Sequence, residues 1–454
     1  MRKREISTIF LIVLVDMIGF SLVLPLLPYY GREFHADALT LGVLTGSYAL
    51  AQLFGAPLLG RASDRWGRRP ILMLSIAGTA VGFVLLGAAG ALWVLFLSRI
   101  IDGATGGNIS VAQAYISDVT TPEERGKALG MIGGAFGIGF IVGPVIGGLL
   151  ISPQLHQWLL GGGVNVSPYV LPAAAAVLMS LVNLVLVFFL LPESLSPEMR
   201  DDVAHQSGGG FSLSGYGAAL RRPVIGPLLV VLTVTGLTFA MFESGFTIWA
   251  FQVLGVGPTG NAFILAYVGV LLVLVQLFAI GPLTKRFPDS RLILWGVAGA
   301  GVTLFAWGLV PSLIPLLVLL VPLSLAMAVS NTVLRSSLSK SVTAEEIGVT
   351  LGIAAGLQGI TRALGAPLVG GLLQFAGGWA PGVVAGVATL LVVPYIWWAV
   401  HQPDVPITVL ECGEELAAEG VCGIDANGNV IVAESAGWPA RATRRRKGTD
   451  RRGT

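Results

Sequence analysis

Twelve apolar runs, each about 20 residues long, follow one another along this 454-residue chain. A helix of that length crosses the roughly 30 Å hydrocarbon core of a bilayer. Hydrophobic residues make up 54% of the chain and charged residues only 11%, whereas soluble proteins carry about 25% charged residues. The sequence therefore predicts an all-α polytopic membrane protein with twelve transmembrane helices, called spans 1 to 12. The runs lie at residues 6–28, 41–60, 71–90, 93–116, 127–150, 169–191, 224–248, 261–281, 291–309, 313–334, 348–373 and 380–400.

The distribution of basic residues predicts the orientation of the chain in the membrane. With the N-terminus in the cytoplasm, 24 of the 27 Lys and Arg residues fall on the cytoplasmic side, as the positive-inside rule requires. Only Arg32 falls outside, and Arg99 and Arg362 lie within spans. We therefore predict a multi-pass protein of the cell membrane with both termini in the cytoplasm. Because the basic residues are accounted for by topology, nucleic acid is not an expected partner.

The two cysteines predict neither a disulfide nor a metal site. Cys412 and Cys422 lie in the predicted cytoplasmic tail, where a disulfide does not persist. Two cysteines without nearby histidine are too few ligands for structural zinc. No cofactor is expected.

An internal repeat divides the chain into two six-span halves. Residues 121–143 align without gaps to residues 343–365, with ten identities in 23 positions. Span 5 and span 11 are therefore the same element repeated. The predicted organisation is an N-terminal half at 1–191, a cytoplasmic linker at 192–222 and a C-terminal half at 223–400. A cytoplasmic tail at 401–454 is expected to be largely disordered, apart from a small hairpin at Asn427-Gly428.

Five charged residues lie inside the predicted spans: Asp16, Arg99, Asp102, Glu243 and Arg362. Charges within a membrane are costly, so each is a functional hypothesis. Spans 3, 6, 9 and 12 carry none in their interiors, since Arg291 is only the first residue of span 9. Structural alternatives exist for each of the five. Asp16 could hydrogen-bond to span 5 or span 2, and Arg99 could simply neutralise Asp102 three residues later. Glu243 could meet water at the outer interface, and Arg362 could snorkel or pair across the halves.

Two glycine-containing segments stand out beside these charges. The connection between spans 2 and 3 reads Gly-x-x-x-Asp-Arg-x-Gly-Arg-Arg, an unusual density of charge for a passive linker; its residues are Gly60, Asp64, Arg65, Gly67, Arg68 and Arg69. Span 5 reads Gly-x-x-x-Gly-Pro-x-x-Gly-Gly, with Gly139, Gly143, Pro144, Gly147 and Gly148. Glycines four residues apart permit close helix packing, and we expect Gly143 to face a helix of the other half. Ordinary small-residue packing is the alternative.

Together these residues resemble the major facilitator superfamily, specifically its twelve-helix drug:proton antiporter group and the tetracycline-efflux proteins. The resemblance covers nearly all of residues 6–400. It is carried by Asp16–Phe20, Gly60–Arg69, Arg99–Gly107, Ala114–Asp118 through Arg125, Gly139–Gly148 and Leu191–Ser194. It implies two parallel six-helix halves with a substrate site between them. Spans 1, 4, 7 and 10 would then line the cavity.

The resemblance also implies roles for individual residues. Asp64 and the arginines around it, with Asp118 and Arg125, would form a latch that clasps the halves on the cytoplasmic side. We expect Asp64 to meet the N-terminus of span 11 near Thr343, whose helix dipole favours an anion. Arg99 and nearby acids would take part in proton coupling. Tetracycline exporters are similar to one another in carrying buried acids on spans 3 and 9, which this chain lacks. That departure weighs against tetracycline as the substrate.

The predicted function is secondary active transport: proton-coupled efflux of a small, largely apolar compound by alternating access, with the proton as coupling ion. Asp16, Arg99, Asp102 and Glu243 are the candidate coupling and cavity residues. An importing symporter is the alternative within transport, and a non-transporting membrane sensor is the alternative outside it. An enzyme is not expected, because the spans contain no histidine or cysteine. The expected partners are the small-molecule substrate and the lipid bilayer, and the expected state is a monomer.

Overall fold

The computed structural model describes residues 2–160, 167–195, 213–222, 225–342, 347–401, 422–424 and 430–432. The first half begins with Arg2–Val23 and Leu27–Glu33, which together form span 1. Spans 2 to 6 then follow, with span 4 divided in two. Their helices are Ala38–Trp66, Arg68–Gly87, Leu92–Ala104 with Asn108–Val119, Pro122–Leu150 and Val170–Leu190. A short helix, Pro153–Leu160, lies between spans 5 and 6.

The second half repeats this order. A helix at Leu213–Leu220, inside the predicted linker, precedes span 7. Span 8 contains one π-helical turn, Val275–Ala279, between Pro258–Leu274 and Ile280–Arg286. The remaining helices are Ile225–Leu254 (span 7), Asp289–Trp307 (span 9), Leu313–Lys340 (span 10), Ile347–Phe375 (span 11) and Ala380–His401 (span 12).

All twelve predicted spans are helical, and ten helices within the described residues are long and apolar enough to cross a membrane. Span 4 is not among the ten because residues 105–107 divide it into helices of 13 and 12 residues. Span 11 is 29 residues long, but it is also not among the ten, because Gln358 and Arg362 lower its mean hydropathy. The outer faces of spans 3, 6, 9 and 12 present large apolar side chains, among them Leu74, Phe189, Val302 and Leu391. Such a surface suits contact with lipid.

Helix pairing follows the sequence repeat. Span 1 packs along span 5, and its counterpart, span 7, packs along span 11. The halves meet through span 2 against span 11 and through span 5 against span 8. These two contacts are also equivalent, because spans 2 and 5 repeat as spans 8 and 11. The fold is therefore a pair of six-helix bundles joined by two equivalent seams.

The halves are closed together at one end of the molecule. The Tyr29 hydroxyl donates to the carbonyl of Val256 at 2.7 Å, and its ring meets Phe251 edge-on. The Arg32 guanidinium lies 5.4 Å from the centroid of the Phe251 ring. Span 2 approaches span 11 so closely here that a β-carbon at Gly42 would lie 3.0 Å from the α-carbon of Pro367. We call this the closed end.

The opposite end, which carries the Gly60–Arg69 connection, is open. An added β-carbon would meet no neighbouring atom within 4 Å at several glycines here; they are Gly126, Gly130, Gly133, Gly134, Gly348 and Gly352. Among the glycines of span 5, Gly137 is the first along the chain that approaches span 8, opposite Val273. The cavity between the halves therefore opens toward the Gly60–Arg69 connection, here called the open end.

Short strands at Cys422–Ile424 and Val430–Val432 pair antiparallel, with Gly423 opposite Ile431. The predicted tail hairpin is confirmed by this pairing. Its turn, Asn427-Gly428, lies outside the described residues, as does most of the predicted linker and tail.

Candidate functional site

Asp16 lies midway along span 1 and is held by span 4. The side-chain amide of Asn108 donates to its carboxylate, Nδ2 to Oδ1, at 2.8 Å. Asn108 begins the second helix of span 4, directly after the break. Gln52 of span 2 donates to the carbonyl of Gly106 within that break at 2.9 Å. The break thus turns Asn108 toward Asp16. The hydrogen-bond partner of Asp16 therefore lies on span 4, and not on span 5 or span 2 as the structural alternative predicts.

Arg99 and Asp102 form a buried ion pair on the first helix of span 4. Arg99 Nη1 lies 3.1 Å from Asp102 Oδ2, and the two side chains are only 4% and 3% exposed. The Arg99 guanidinium also lies 5.6 Å from the centroid of the Phe83 ring. Asp16 is close enough for its charge to repel that of Asp102. The first half therefore gathers two carboxylates and one arginine around one polar centre.

Glu243 lies on span 7, in the second half, and is half-buried. Phe239, one turn earlier, lines the cleft of the second half, so helical spacing places Glu243 on the same face. Phe242 and Phe246 instead pack with Trp307 in a buried aromatic cluster. Glu243 therefore has aromatic residues on one side and the cleft on the other, away from the Asp16 centre.

The Gly60–Arg69 connection is organised around a buried arginine. Arg68 is 5% exposed and forms an ion pair with Asp64. Its Nε donates to Asp118 at 3.0 Å and its Nη1 to the Ser63 hydroxyl at 2.8 Å. Gly67 makes the tight turn between spans 2 and 3 with φ +103°, a conformation that favours glycine. The network thus joins spans 2, 3 and 4 within the first half.

Sequence reasoning did not include Glu193 in this network. Its two carboxylate oxygens accept from the backbone N–H groups of Arg68 at 2.9 Å and Arg69 at 3.2 Å, capping the N-terminus of span 3. Ser194 donates to Asp118 at 2.9 Å. The sequence did single out this segment, because residues 191–194 are among those that carry the family resemblance.

The other latch residues lie at the surface of the open end. Arg65 is exposed, and a β-carbon at Gly60 would meet nothing within 4 Å. The exposed Arg125 side chain donates to the carbonyl of Ser117 at 3.1 Å. The expected meeting of Asp64 with the start of span 11 falls on residues 343–346, which lie outside the described residues.

The glycines of span 5 pack against span 1 of the same half, which corrects the expected contact of Gly143 with the other half. A β-carbon at Gly143 would lie 2.8 Å from the Leu22 backbone nitrogen, and one at Gly139 would lie 2.5 Å from the Met17 β-carbon. The Ser21 hydroxyl donates to the carbonyl of Gly139 at 2.7 Å. The reason is the helix pairing above: span 5 lies along span 1. Gly147 also faces Leu22, while span 5 remains one helix through Pro144.

Only the last glycine of the motif reaches the other half. A β-carbon at Gly148 would lie 2.8 Å from the Ala262 side chain of span 8. The span 5 motif therefore builds the first half, with one position at the seam.

The second half contains a cleft that sequence reasoning largely missed. Arg335 and Arg362 line it. Arg335 was counted as a cytoplasmic flanking residue because the apolar run of span 10 ends at residue 334. The helix itself continues to Lys340, and this carries Arg335 into the cleft beside Asn331.

Comparison with known proteins decides the family. The sequence matches the Major Facilitator Superfamily over residues 9–280 and 252–414. The chain belongs to this superfamily. It is 34% identical over 289 residues to the class C tetracycline resistance protein of Escherichia coli, covering 63% of this chain and 69% of that protein. It is 28% identical over 298 residues to multidrug resistance protein 2 of Bacillus subtilis, covering 64% and 70%.

Solved structures share the fold. The human organic anion transporter MFSD10 (TETRAN) superposes with TM-score 0.64 at 21% identity, covering 87% of this chain and 99% of that one. A bacterial homologue of the human lysosomal transporter Spinster superposes with TM-score 0.70 at 17% identity, covering 88% and 96%. The fold and the family together identify the chain as a multi-pass membrane transporter of small molecules, and not an enzyme.

Proposed function

We propose that this major facilitator protein exports a small, largely apolar compound in exchange for protons. The supporting observation is the polar centre of the first half, where Asn108 holds Asp16 and the buried Arg99–Asp102 pair lies beside it. Carboxylates inside a membrane suit a proton relay, because each can gain and lose a proton there. The proton is the proposed coupling ion, and no cofactor is invoked.

The two ends of the molecule suit an alternating-access cycle. On the orientation that the basic residues predict, the open end is cytoplasmic, and the described conformation faces inward. A compound would enter from the cytoplasm or inner leaflet. The seams at the closed end would then open as the open end closes. Multidrug and tetracycline resistance proteins among the relatives favour efflux as the direction. We propose a monomer in the cell membrane with both termini cytoplasmic.

Two other functions make different predictions. A symporter would move the compound and the proton in the same direction. A non-transporting sensor would bind its ligand without net movement. The pair of closed and open ends favours a transporter over a sensor, because a sensor has no need of a cavity that opens on one side.

The test uses everted membrane vesicles, whose outer surface is the cytoplasmic face. A growth-inhibition panel of antimicrobials, with and without the protein, first selects a compound to which the protein confers resistance. An acid vesicle lumen should then drive that compound into the vesicles, and adding the compound should release protons from them. Vesicles without the protein are the control. Expulsion of the compound by the acid lumen would show symport, and binding without movement would show a sensor; either result would overturn the proposal.

A further inference from the structure

The cleft of the second half presents two arginines to the open cavity. Arg335 of span 10 and Arg362 of span 11 both line it and are both exposed there. They lie close enough for their charges to repel each other. Two like charges placed together within membrane spans are unfavourable, so their placement requires a physical reason.

The Arg335 guanidinium is oriented but not neutralised. Its Nε donates to Asn331 Oδ1 at 2.9 Å, and its Nη2 donates to Gln358 Oε1 at 2.7 Å. Both acceptors are uncharged amides, so the full positive charge remains. Neither bond uses Nη1. The arrangement therefore fixes the plane of the guanidinium group and leaves one edge available to a ligand.

Arg362 completes the positive charge of the cleft. Within the part of the chain that the structure describes, it makes no hydrogen bond or ion pair, and no carboxylate pairs with Arg335 either. A ligand anion lying between the two groups would offset their repulsion. The planar fork of arginine matches carboxylate and phosphate oxygens in bidentate geometry.

Part of the remaining cleft wall is apolar, and hydroxyl and amide groups make up the rest: Thr235, Thr238, Ser330, Asn331, Gln358 and Thr389. Leu232 and Phe239 of span 7 and Met327 of span 10 line it together with the two arginines. A molecule with an apolar body and one anionic group would match both parts of this lining. We infer that the cleft binds organic anions of this kind, with the carboxylate or equivalent group between Arg335 and Arg362. This inference rests on the proposed function in that it names the substrate class of the proposed exporter.

A competing role for the arginines is to serve only as counter-ions for the first half. The charges of Arg362, Asp16 and Asp102 all act on Tyr48 of span 2. Arginines that served the protein's own carboxylates alone would give no preference for an anionic ligand. The two roles are therefore separated by ligand charge.

The test is binding of three probes that share one apolar body: naphthaleneacetate, naphthaleneethanol and naphthaleneethylamine. Binding to the purified full chain is measured by equilibrium dialysis, with empty detergent micelles as the blank. We expect the carboxylate to bind about tenfold or more tightly than the alcohol, because hydrogen bonds between arginine and a charged oxygen are stronger than those to a neutral one. The amine should bind most weakly. Equal binding of the three probes, or no binding of the carboxylate, would overturn the inference.

Variants assign the preference to the cleft. Arg335→Gln and Arg362→Gln should each remove most of the preference for the carboxylate over the alcohol, because the carboxylate loses more affinity than the alcohol in both. Arg291→Gln, an exposed arginine at the start of span 9, is the matched control and should retain the preference. A preference that survives in both cleft variants would overturn the assignment. Because the assay needs no membrane or proton gradient, its outcome is separate from that of the exchange experiment above.

Discussion

The side-chain amide of Gln374, at the closed end of span 11, donates to the carboxylate of Asp37 at 3.2 Å. Its carbonyl oxygen accepts from the backbone N–H of Leu39 at 3.1 Å. Asp37 is at the same time the N-cap of span 2, accepting from the Thr40 N–H at 2.8 Å. One glutamine of the second half thus holds the first turn of a first-half helix, and it can do so only while the closed end is closed.

Gln374→Leu should therefore shift the protein toward the conformation that opens the closed end. Loss of hydrogen bonds worth about 0.5–1.5 kcal/mol each should change the conformational ratio several-fold. Spin labels at Gln154 and Gln252, exposed positions of the two halves at this end, would report it as a longer distance, with Cys412 and Cys422 replaced by Ser. Gln157→Leu is the control. An unchanged distance distribution would show that this contact does not govern closure.

The same contact should not depend on pH in the physiological range. Hydrogen bonds from the side chain and the backbone N–H of Thr40 lower the pKa of Asp37 below its ordinary value. The carboxylate is then charged above about pH 4, and its contribution to closure is lost only as the pH falls through the lowered pKa. The spin-label distance between Gln154 and Gln252 should therefore stay constant from neutral pH down to about pH 5 when all three candidate proton sites are replaced together, as Asp16→Asn, Asp102→Asn and Glu243→Gln.

Asp64→Asn should abolish most transport while leaving the fold intact, whereas Arg68→Ala should lower stability. Arg68 is the buried centre of the latch network, and its loss leaves the carboxylates of Asp64 and Asp118 without their shared cation. Removing one partner of a buried ion pair lowers the free energy of unfolding by about 3–5 kcal/mol. Asp64 is more exposed, and the amide is isosteric. Thermal unfolding in detergent and efflux from cells distinguish the two effects. Normal efflux from a normally expressed Asp64→Asn protein would contradict the latch hypothesis.

Gly143→Ala should destabilise the first half by about 1–3 kcal/mol, the usual cost of overpacking. Its new methyl group would press on the backbone of span 1 at Leu22, and neither helix can yield without separating. Gly134→Ala, on the same helix, would meet nothing within 4 Å and is the matched control. Equal thermal stability of the two variants would show that the span 1–span 5 contact is looser than described.

The Arg99–Asp102 pair can be tested for a role beyond neutralisation. Arg99→Ala alone leaves a buried carboxylate unpaired and should reduce folded protein severely, because breaking a buried pair costs about 3–5 kcal/mol. The double variant Arg99→Leu with Asp102→Leu removes both charges and should restore the yield of folded protein. If the pair takes part in coupling, the double variant should still lack pH-driven transport. Full transport by the double variant would make the pair purely structural.

Much of this fold could be predicted from the sequence, because the bilayer imposes strong rules. Span lengths follow from its thickness, and the repeat of residues 121–143 at 343–365 gives the two halves. The Arg99–Asp102 pair is also predictable, since residues three apart on a helix share a face. These are local properties, and sequence periodicity reports them well.

The remaining features depend on which helices meet, and residue spacing and hydropathy along the chain do not report that. Glycine spacing on span 5 predicts a close contact, but only the packing shows that Gly143 meets span 1. Arg335 was missed because hydropathy ends at residue 334 while the helix continues. The Asn108–Asp16 bond required the break in span 4, which the apolar run 93–116 conceals.

The most direct test of the account concerns proton coupling by the membrane acids. Asp16→Asn, Asp102→Asn and Glu243→Gln, each in proteoliposomes, should be compared for substrate exchange without a gradient and for accumulation driven by a pH gradient. The account predicts that at least one amide variant retains exchange but loses pH-driven accumulation, because a coupling group must change its charge during the cycle. Retention of pH-driven accumulation by all three variants would contradict it.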